Sequence, residues 1–162
     1  VIGGAAGAFP PMIGWAAATG EVTWDSVVLF MIIFLWTPPH FWALSLFSTN
    51  DYEAARVPMM PNVRGELSTR RQAMFYAVIM APVGVLPYVL GFAGITYGVI
   101  STLLGLAFVY YAWRMWMAES HAQMLLAARK LFRFSLMYLS GVFAVLLVEA
   151  LAIRLLTAFG VI

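Results

Sequence analysis

The sequence predicts an all-α fold, a multi-pass transmembrane helical bundle with about five spans. Of its 162 residues, 64% are hydrophobic and only 10% are charged, and the mean hydropathy is +0.92. Soluble domains usually carry about a quarter charged residues, so this composition excludes a water-soluble globule. Five apolar segments approach the length of about 20 residues that a helix needs to cross a bilayer.

The five predicted spans belong to a single membrane domain, residues 1–162. They cover residues 2–19, 26–47, 72–93, 97–117 and 134–157. The first is the shortest and contains Pro10-Pro11, and the second contains Pro38-Pro39. Proline removes a backbone donor and disfavours helix just before it, so we expect both spans to be interrupted at these pairs.

Basic residues alternate between the connections. The uncharged or acidic connections are short, whereas residues 48–71 and 118–133 carry the bases Arg56, Arg64, Arg70, Arg71, Arg129, Lys130 and Arg133. The positive-inside rule therefore predicts that both basic connections lie on the cytoplasmic side. The alternation supports the number of spans independently of hydropathy.

Residues 48–71 form a connection far longer than the 2–8 residues common between bundled helices. Its two prolines and two methionines, Pro58 to Pro61, are poor material for a solvated linker. We expect this segment to fold over the cytoplasmic mouth of the bundle as a lid, with a short helix around residues 49–56. Residues 118–133 are predicted to be a second cytoplasmic basic loop.

The composition also excludes several classes of site. There is no cysteine, so disulfides, thiolate metal sites and cysteine nucleophiles are excluded. Two histidines and seven acidic residues leave little material for an all-protein metal cage, and a net charge of +2 is too small to indicate a nucleic-acid partner.

Asp51 follows the second span directly, on the side that carries the bases. A carboxylate there is typical of a site that holds an anionic substrate through Mg²⁺, because this ion prefers one or two carboxylates with phosphate oxygens and water. Arginine side chains match phosphate oxygens geometrically. The basic candidates for this role are Arg56, Arg64, Lys130 and Arg133. The alternative is an interfacial aspartate that caps a helix, among bases placed by the positive-inside rule.

His40 lies immediately after the second proline pair. A broken helix is tolerated in a bilayer only where its backbone is buried in protein or lines a cavity, so we expect His40 to face such a cavity. It could ligate haem iron, contact a diphosphate or bond a freed carbonyl, and the residues leave these alternatives open. Trp36 and Trp42 would suit a flat or polyunsaturated apolar ligand, although an interfacial aromatic belt explains them nearly as well.

Four motifs in this order resemble a known family. They are "GGAAGAFPPMIGW" (Gly3–Trp15), "FLWTPPHFWALSLF" (Phe34–Phe47), "NDYEAARVPMMPNVRGE" (Asn50–Glu66) and "RKLFRFSLMYL" (Arg129–Leu139). The chain is identified by them as similar to the protohaem IX farnesyltransferase (haem O synthase) family, within the UbiA-type intramembrane prenyltransferases. The resemblance implies a nine-helix prenyltransferase fold in the inner (plasma) membrane.

The resemblance also implies a reaction and its participants. Farnesyl diphosphate ionises with the help of Mg²⁺, and the allylic cation is captured by a vinyl group of haem b, which yields haem O for terminal oxidases. The resemblance implies that Asp51 is the metal ligand and that Asp51 and Tyr52 form the catalytic motif. The diphosphate would be bound by Arg56, Arg64, Lys130 and Arg133, and the haem or prenyl pocket would include His40, Trp36 and Trp42.

The chain departs from the family in one respect. Members have a first Asn- and Asp-rich loop in their N-terminal half, and this chain resembles the C-terminal half only. Position 55 is alanine, so a paired DxxxD is not formed after Asp51. We therefore expect a missing N-terminal half to be a partner and the chain alone to be inactive. Two other classes remain open: a non-enzymatic haem-binding or haem-delivery subunit with His40 as axial ligand, and half of a transporter.

Overall fold

The computed structural model describes residues 2–54 and 57–159 of the chain, and these two ranges form seven α-helices. The helices are α1 (Ile2–Thr19), α2 (Trp24–Phe47), α3 (Thr49–Ala54), α4 (Met60–Arg64), α5 (Glu66–Val89), α6 (Ile95–Trp116) and α7 (His121–Ala158). The predicted all-α class is therefore confirmed.

The four longest helices form an antiparallel bundle in which each packs against two neighbours. Helix α2 packs on α5, α5 on α6, α6 on α7, and α7 returns to α2, while α1 packs on the outside of α2. By length and apolar composition, α2, α5, α6 and α7 can each cross a membrane. Helix α1 has the bounds of the first predicted span, but it is not one of these four.

Both proline pairs lie inside continuous helices, so the predicted interruptions at Pro10-Pro11 and Pro38-Pro39 are wrong. Each pair removes two backbone donors. Leaving the helix altogether would expose many more unpaired backbone groups in surroundings that contain no water. The helix therefore tolerates the pair and continues on either side of it.

The centre of the bundle combines small and large side chains. Ala43, Ala73, Ala77, Ala112 and Ala128 are fully buried and let the helices approach one another closely. The buried rings of Phe108 and Tyr138 fill the remaining space, with centroids 5.3 Å apart in an edge-to-face arrangement. The hydroxyl of Tyr138 lies so close to where a Cβ of Gly84 would be that a larger residue at position 84 would force the buried Tyr138 side chain to shift.

One end of the bundle, which we call the lid end, contains the last turn of α2, helices α3 and α4, the start of α5, the end of α6 and the start of α7. The short helix expected near residues 49–56 is observed as α3. Helix α4 packs on α2 and α5 through the buried Pro61. It joins α5 at Gly65, whose φ of 80° lies in the left-handed region that glycine adopts without strain.

Two side-chain contacts hold the basic connections together at the lid end. Nη1 of Arg70 donates a hydrogen bond to the carbonyl of Ala118 at 2.8 Å, and Nδ1 of His121 lies 3.2 Å from the carboxylate of Glu66. The start of α5 is therefore beside the α6–α7 connection. This adjacency is what the sequence predicted for residues 48–71 and 118–133.

The loop predicted at residues 118–133 is mostly helix, which corrects the sequence-based boundary. Helix α7 begins at His121, where the Ser120 hydroxyl accepts a hydrogen bond from the Gln123 amide at 3.3 Å and caps the first turn. At 1.5 Å per residue its 38 residues span about 57 Å, nearly twice the hydrocarbon thickness of a bilayer. The prediction missed the first third of α7 because the span was predicted from its run of apolar residues. Charged residues interrupt such a run, but they do not end a helix.

At the opposite end, Glu149 of α7 caps α6. Its two carboxylate oxygens accept hydrogen bonds from the backbone N–H groups of Gly94 at 2.8 Å and Tyr97 at 2.9 Å. These donors belong to the first turn of α6, which has no partners within the helix. The negative charge also complements the positive end of the helix dipole.

Candidate functional site

His40 lies in the packed interior between α2 and α7, and it does not line the large groove described below. Its side chain is 7% exposed, and the ring stacks between Trp36 and Phe132, with centroid distances of 4.2 Å and 4.7 Å. Nδ1 lies 2.6 Å from the hydroxyl oxygen of Ser135. The histidine therefore bonds a side chain of another helix and not a freed carbonyl of its own.

Ser135 is the centre of this polar contact. Its hydroxyl lies within 2.6 Å of the Phe132 carbonyl as well as of His40, and its own carbonyl accepts a hydrogen bond from Nε1 of Trp36 at 2.8 Å. Two predicted pocket residues, His40 and Trp36, are thus brought together by one serine of α7. The third, Trp42, is half-buried at the interface with α5, where its ring meets Tyr76 edge-on at 5.4 Å.

Lys130 and Arg133 lie on the other side of α7. Each stands two residues before a residue that contacts His40, namely Phe132 and Ser135. Two residues correspond to a rotation of about 200° around a helix, so the two bases point away from His40. The structure therefore divides the predicted site residues into an interior group and a groove-lining group.

The groove is a large open cavity between α6 and α7, with a volume of about 1010 Å³. Its charged lining residues are Arg114, Glu119, Lys130 and Arg133. Aromatic side chains form much of its apolar wall, including Tyr110, Tyr111, Trp113 and Phe134. Three cations face one carboxylate here, so an anionic ligand with an apolar part would complement the surface.

The other predicted residues lie on or near the lid end. Tyr52 is half-buried on α3, and Arg64 is exposed at the end of α4. The backbone of Asp51 belongs to α3, while its side chain and the whole of Arg56 lie outside the described residues. The two basic connections and α3 share one end of the bundle, as the sequence predicted.

Comparison with known proteins identifies the family. The model of the UbiA prenyltransferase family matches residues 1–137, more than four fifths of the chain. The chain belongs to the UbiA prenyltransferase family. No solved structure matches it significantly.

Individual UbiA relatives are similar over half of their own length. A protein named protoheme IX farnesyltransferase from Brucella ovis is 84% identical over 161 residues, which are 99% of this chain and 52% of the relative. Proteins of the same name from Brucella anthropi and Bartonella bacilliformis are 85% and 60% identical over 160 and 151 residues. They are covered over 51% and 49% of their lengths. The chain thus spans about half the length of the curated relatives that it matches.

A divalent cation is implied by the resemblance to UbiA enzymes, and the described residues can be tested for a site. Among the side chains that the structure describes, which do not include those of Asp51 and Glu53, no three His, Asp or Glu residues form a group that could hold a metal ion. Glu66 is engaged by His121, and Glu119 faces three bases across the groove. The side chain of Asp51, the metal ligand expected from the sequence, lies outside the described part.

Sequence reasoning missed three residues that shape the candidate site. Ser135 gave no signal, because a serine on a membrane helix is unremarkable until its partner is known. Arg70 was interpreted only as a charge that sets the orientation in the membrane, yet its guanidinium donates a hydrogen bond to the carbonyl of Ala118, just after the end of α6. Arg114 was not among the predicted site residues, although it lines the groove with Lys130 and Arg133. A plot of α6 as a helical wheel would have found its position beside Tyr110.

Proposed function

We propose that this chain is the C-terminal half of an enzyme that transfers a farnesyl group from farnesyl diphosphate to a vinyl group of haem b, making haem O. The observation that carries the proposal is the 84% identity, over 99% of the chain, to a relative named protoheme IX farnesyltransferase. Membership of a prenyltransferase family supports the same reaction class.

The geometry supports the chemistry of a diphosphate leaving group. Negative charge develops on the diphosphate as the carbon–oxygen bond breaks, and positioned cations stabilise it. Lys130 and Arg133 line the groove between α6 and α7 and would bind the diphosphate, together with Arg56 and Arg64 from the lid. Aromatic walls beside these bases would keep water away from an allylic cation. Mg²⁺, when bound through Asp51, would supply further neutralisation of the leaving group.

The lid is assigned to residues 48–71, and Tyr52 is assigned to the catalytic motif beside Asp51. His40, Trp36 and Trp42 would form the inner wall of the haem or prenyl pocket by fixing α2 against α7 and α5. The basic connections would face the cytoplasm from the inner membrane. The relatives are about twice as long as this chain, which supports the proposal that an N-terminal half is a required partner and that the 162-residue chain alone is inactive.

Asp51 provides the direct test. In the full-length enzyme, Asp51→Asn removes a metal-binding charge and is expected to lower haem O formation about 100-fold or more, since even residues behind metal ligands typically contribute 10- to 100-fold. Turnover would be measured by chromatography of haem products from detergent-solubilised membranes. Asp25→Asn, the same change at the other end of α2, is the control and should retain activity. Normal turnover in Asp51→Asn would remove Asp51 from the site.

The second class is a haem-binding subunit with His40 as axial ligand. Nδ1 of His40 is bonded to Ser135, so Nε2 is the nitrogen that would bind iron. A haem Soret band that is lost in His40→Ala, with no dependence on Mg²⁺ or farnesyl diphosphate, would favour this class over the enzyme.

A further inference from the structure

We infer that Arg114, held in place by Tyr110, binds the charged headgroup of an anionic amphiphile in the groove between α6 and α7. The inference rests on the proposed function in one respect, since it identifies the headgroup as the diphosphate of the prenyl substrate. It adds a wall from α6 to a diphosphate site that the sequence assigned to the lid and α7 alone.

The groove has apolar lining residues along its whole length, whereas its charged residues stop short of the end that is farthest from the lid. At the lid end it is lined by Glu119 and Gln123. Arg114 and Lys130 follow, and Phe134 and Met137 come last. Helices α6 and α7 are antiparallel, so residues descending α6 from Met117 to Tyr110 face residues ascending α7. A molecule with a charged head and an apolar chain matches this arrangement, with its head at the level of the bases.

Arg114 is oriented by the residue one turn before it. Its Nη1 donates a hydrogen bond to the Tyr110 hydroxyl at 3.1 Å, and its guanidinium carbon lies 6.0 Å from the centre of the same ring. Both contacts restrict the side chain, and the ring adds a cation–π attraction. A guanidinium has five N–H donors, so one bond to Tyr110 leaves the others for phosphate oxygens.

The charge in the groove is not balanced by the protein that lines it. Arg114, Lys130 and Arg133 contribute three positive charges, and Glu119 contributes the one negative charge among the lining residues. Two helices present these bases from opposite walls, which suits a diphosphate with oxygens on all sides better than a flat carboxylate. Arginine is also the residue that best matches phosphate oxygens in pairs.

Two natural molecules share this chemistry, a phosphate headgroup joined to an apolar chain: a prenyl diphosphate and an anionic phospholipid. We assign the groove to the prenyl diphosphate, because a mobile lipid headgroup at the membrane surface needs no arginine fixed by a tyrosine. The experiment distinguishes the two sources.

The test uses the full-length enzyme and the variants Arg114→Gln, Arg114→Lys and Tyr110→Phe. We expect Arg114→Gln to raise both the Kd and the KM for farnesyl diphosphate about tenfold or more, as for loss of a hydrogen bond to a charged group, with the KM for haem unchanged. Arg114→Lys should recover part of the affinity by restoring the charge. Tyr110→Phe should raise the KM a few-fold, because it frees the arginine without removing it.

Arg129→Gln is the matched control. Arg129 has the same side chain as Arg114 but lies on the neighbouring helix α7. Its guanidinium carbon lies 5.8 Å from the centre of the Phe47 ring, on the α2 side, and it does not line the groove. Its removal should leave both KM values unchanged. Inorganic diphosphate should inhibit the wild type at a lower concentration than it inhibits Arg114→Gln.

Two outcomes would contradict the inference, and a third would contradict the proposed function alone. Unchanged affinity for farnesyl diphosphate in Arg114→Gln, with wild-type activity present, overturns the role of Arg114. An effect that appears only when anionic phospholipid is added to neutral detergent assigns the groove to lipid and also overturns it. If the wild type makes no haem O, the proposed function fails, while direct binding of farnesyl diphosphate still decides the role of Arg114.

Discussion

At the scale of single residues, the contact between His40 and Ser135 is the least predictable feature of the site. The sequence indicated that a histidine in an apolar span has a special role, because ionisable groups are rare there. It could not identify a partner 95 residues away, since hydropathy carries no information on which faces of two helices meet. The same limit applies to Trp36, whose indole N–H bonds a carbonyl of the same distant helix.

Ser135→Ala tests this contact. The change leaves Nδ1 of a buried histidine without its partner, which costs about 1–3 kcal/mol. We expect a lower temperature of unfolding for the full-length protein in detergent, followed by circular dichroism. Ser140→Ala, an exposed serine on the same helix, is the control and should leave the transition unchanged. Equal transitions for the two variants would mean that the His40–Ser135 bond contributes no stability.

At the scale of helices, the structure corrects the sequence mainly at the ends of elements. The spans were predicted well because burial in lipid depends on composition, which the sequence states directly. Helix α5 nevertheless begins at Glu66 and α7 at His121, well before their apolar segments. Caps such as Ser120, and not hydropathy, decide where a helix starts. The proline pairs illustrate the converse, because a local breaker does not end a helix whose surroundings hold no water.

The start of α6 depends on a charge supplied by α7, and Glu149→Gln tests it. The amide keeps the shape of the side chain but lacks the negative charge and one of the two acceptor oxygens. We expect a loss of about 1 kcal/mol or more in stability, since bonds to charged groups and the helix dipole are both weakened. The measurement is again thermal unfolding in detergent.

Glu21→Gln is the control for this change, because Glu21 is exposed between α1 and α2, and the start of α2 has no side-chain cap in the described structure. Its transition should match the wild type. A transition for Glu149→Gln at the wild-type temperature would contradict the capping role.

At the scale of the whole molecule, the alternation of charge predicts how the bundle is oriented in the membrane. The chain contains no cysteine, so single cysteines can be added without removing any. Thr96 and Ala122 are both exposed, and they stand at the starts of α6 and α7, at opposite ends of the bundle. If the lid end faces the cytoplasm, a membrane-impermeant maleimide will label Thr96→Cys in intact spheroplasts and Ala122→Cys only after lysis. The reverse pattern would contradict the orientation.

The candidate site was predictable in part. Two bases of the groove, Lys130 and Arg133, were predicted because they interrupt apolar segments, and their place at the lid end follows from counting spans. The sequence could not show that His40 and Lys130 lie on different sides of α7. That separation became clear only when the contacts with α2 identified the inner face of α7. Arg114 was missed because its role depends on which residues of α7 face it across the groove, and the sequence of α6 alone does not show this.

Helix α7 runs without interruption from His121 to Ala158 and is attached at both ends of the bundle, to Glu66 near its start and to the first turn of α6 through Glu149. Between these two attachments α7 is one unbroken helix. We expect a displacement of its lid-end portion, by substrate or by a partner, to move the opposite end of the bundle as well. The α5–α6 turn is joined to that helix by the carboxylate of Glu149, about 42 Å along it from His121, since 28 residues separate the two at about 1.5 Å each.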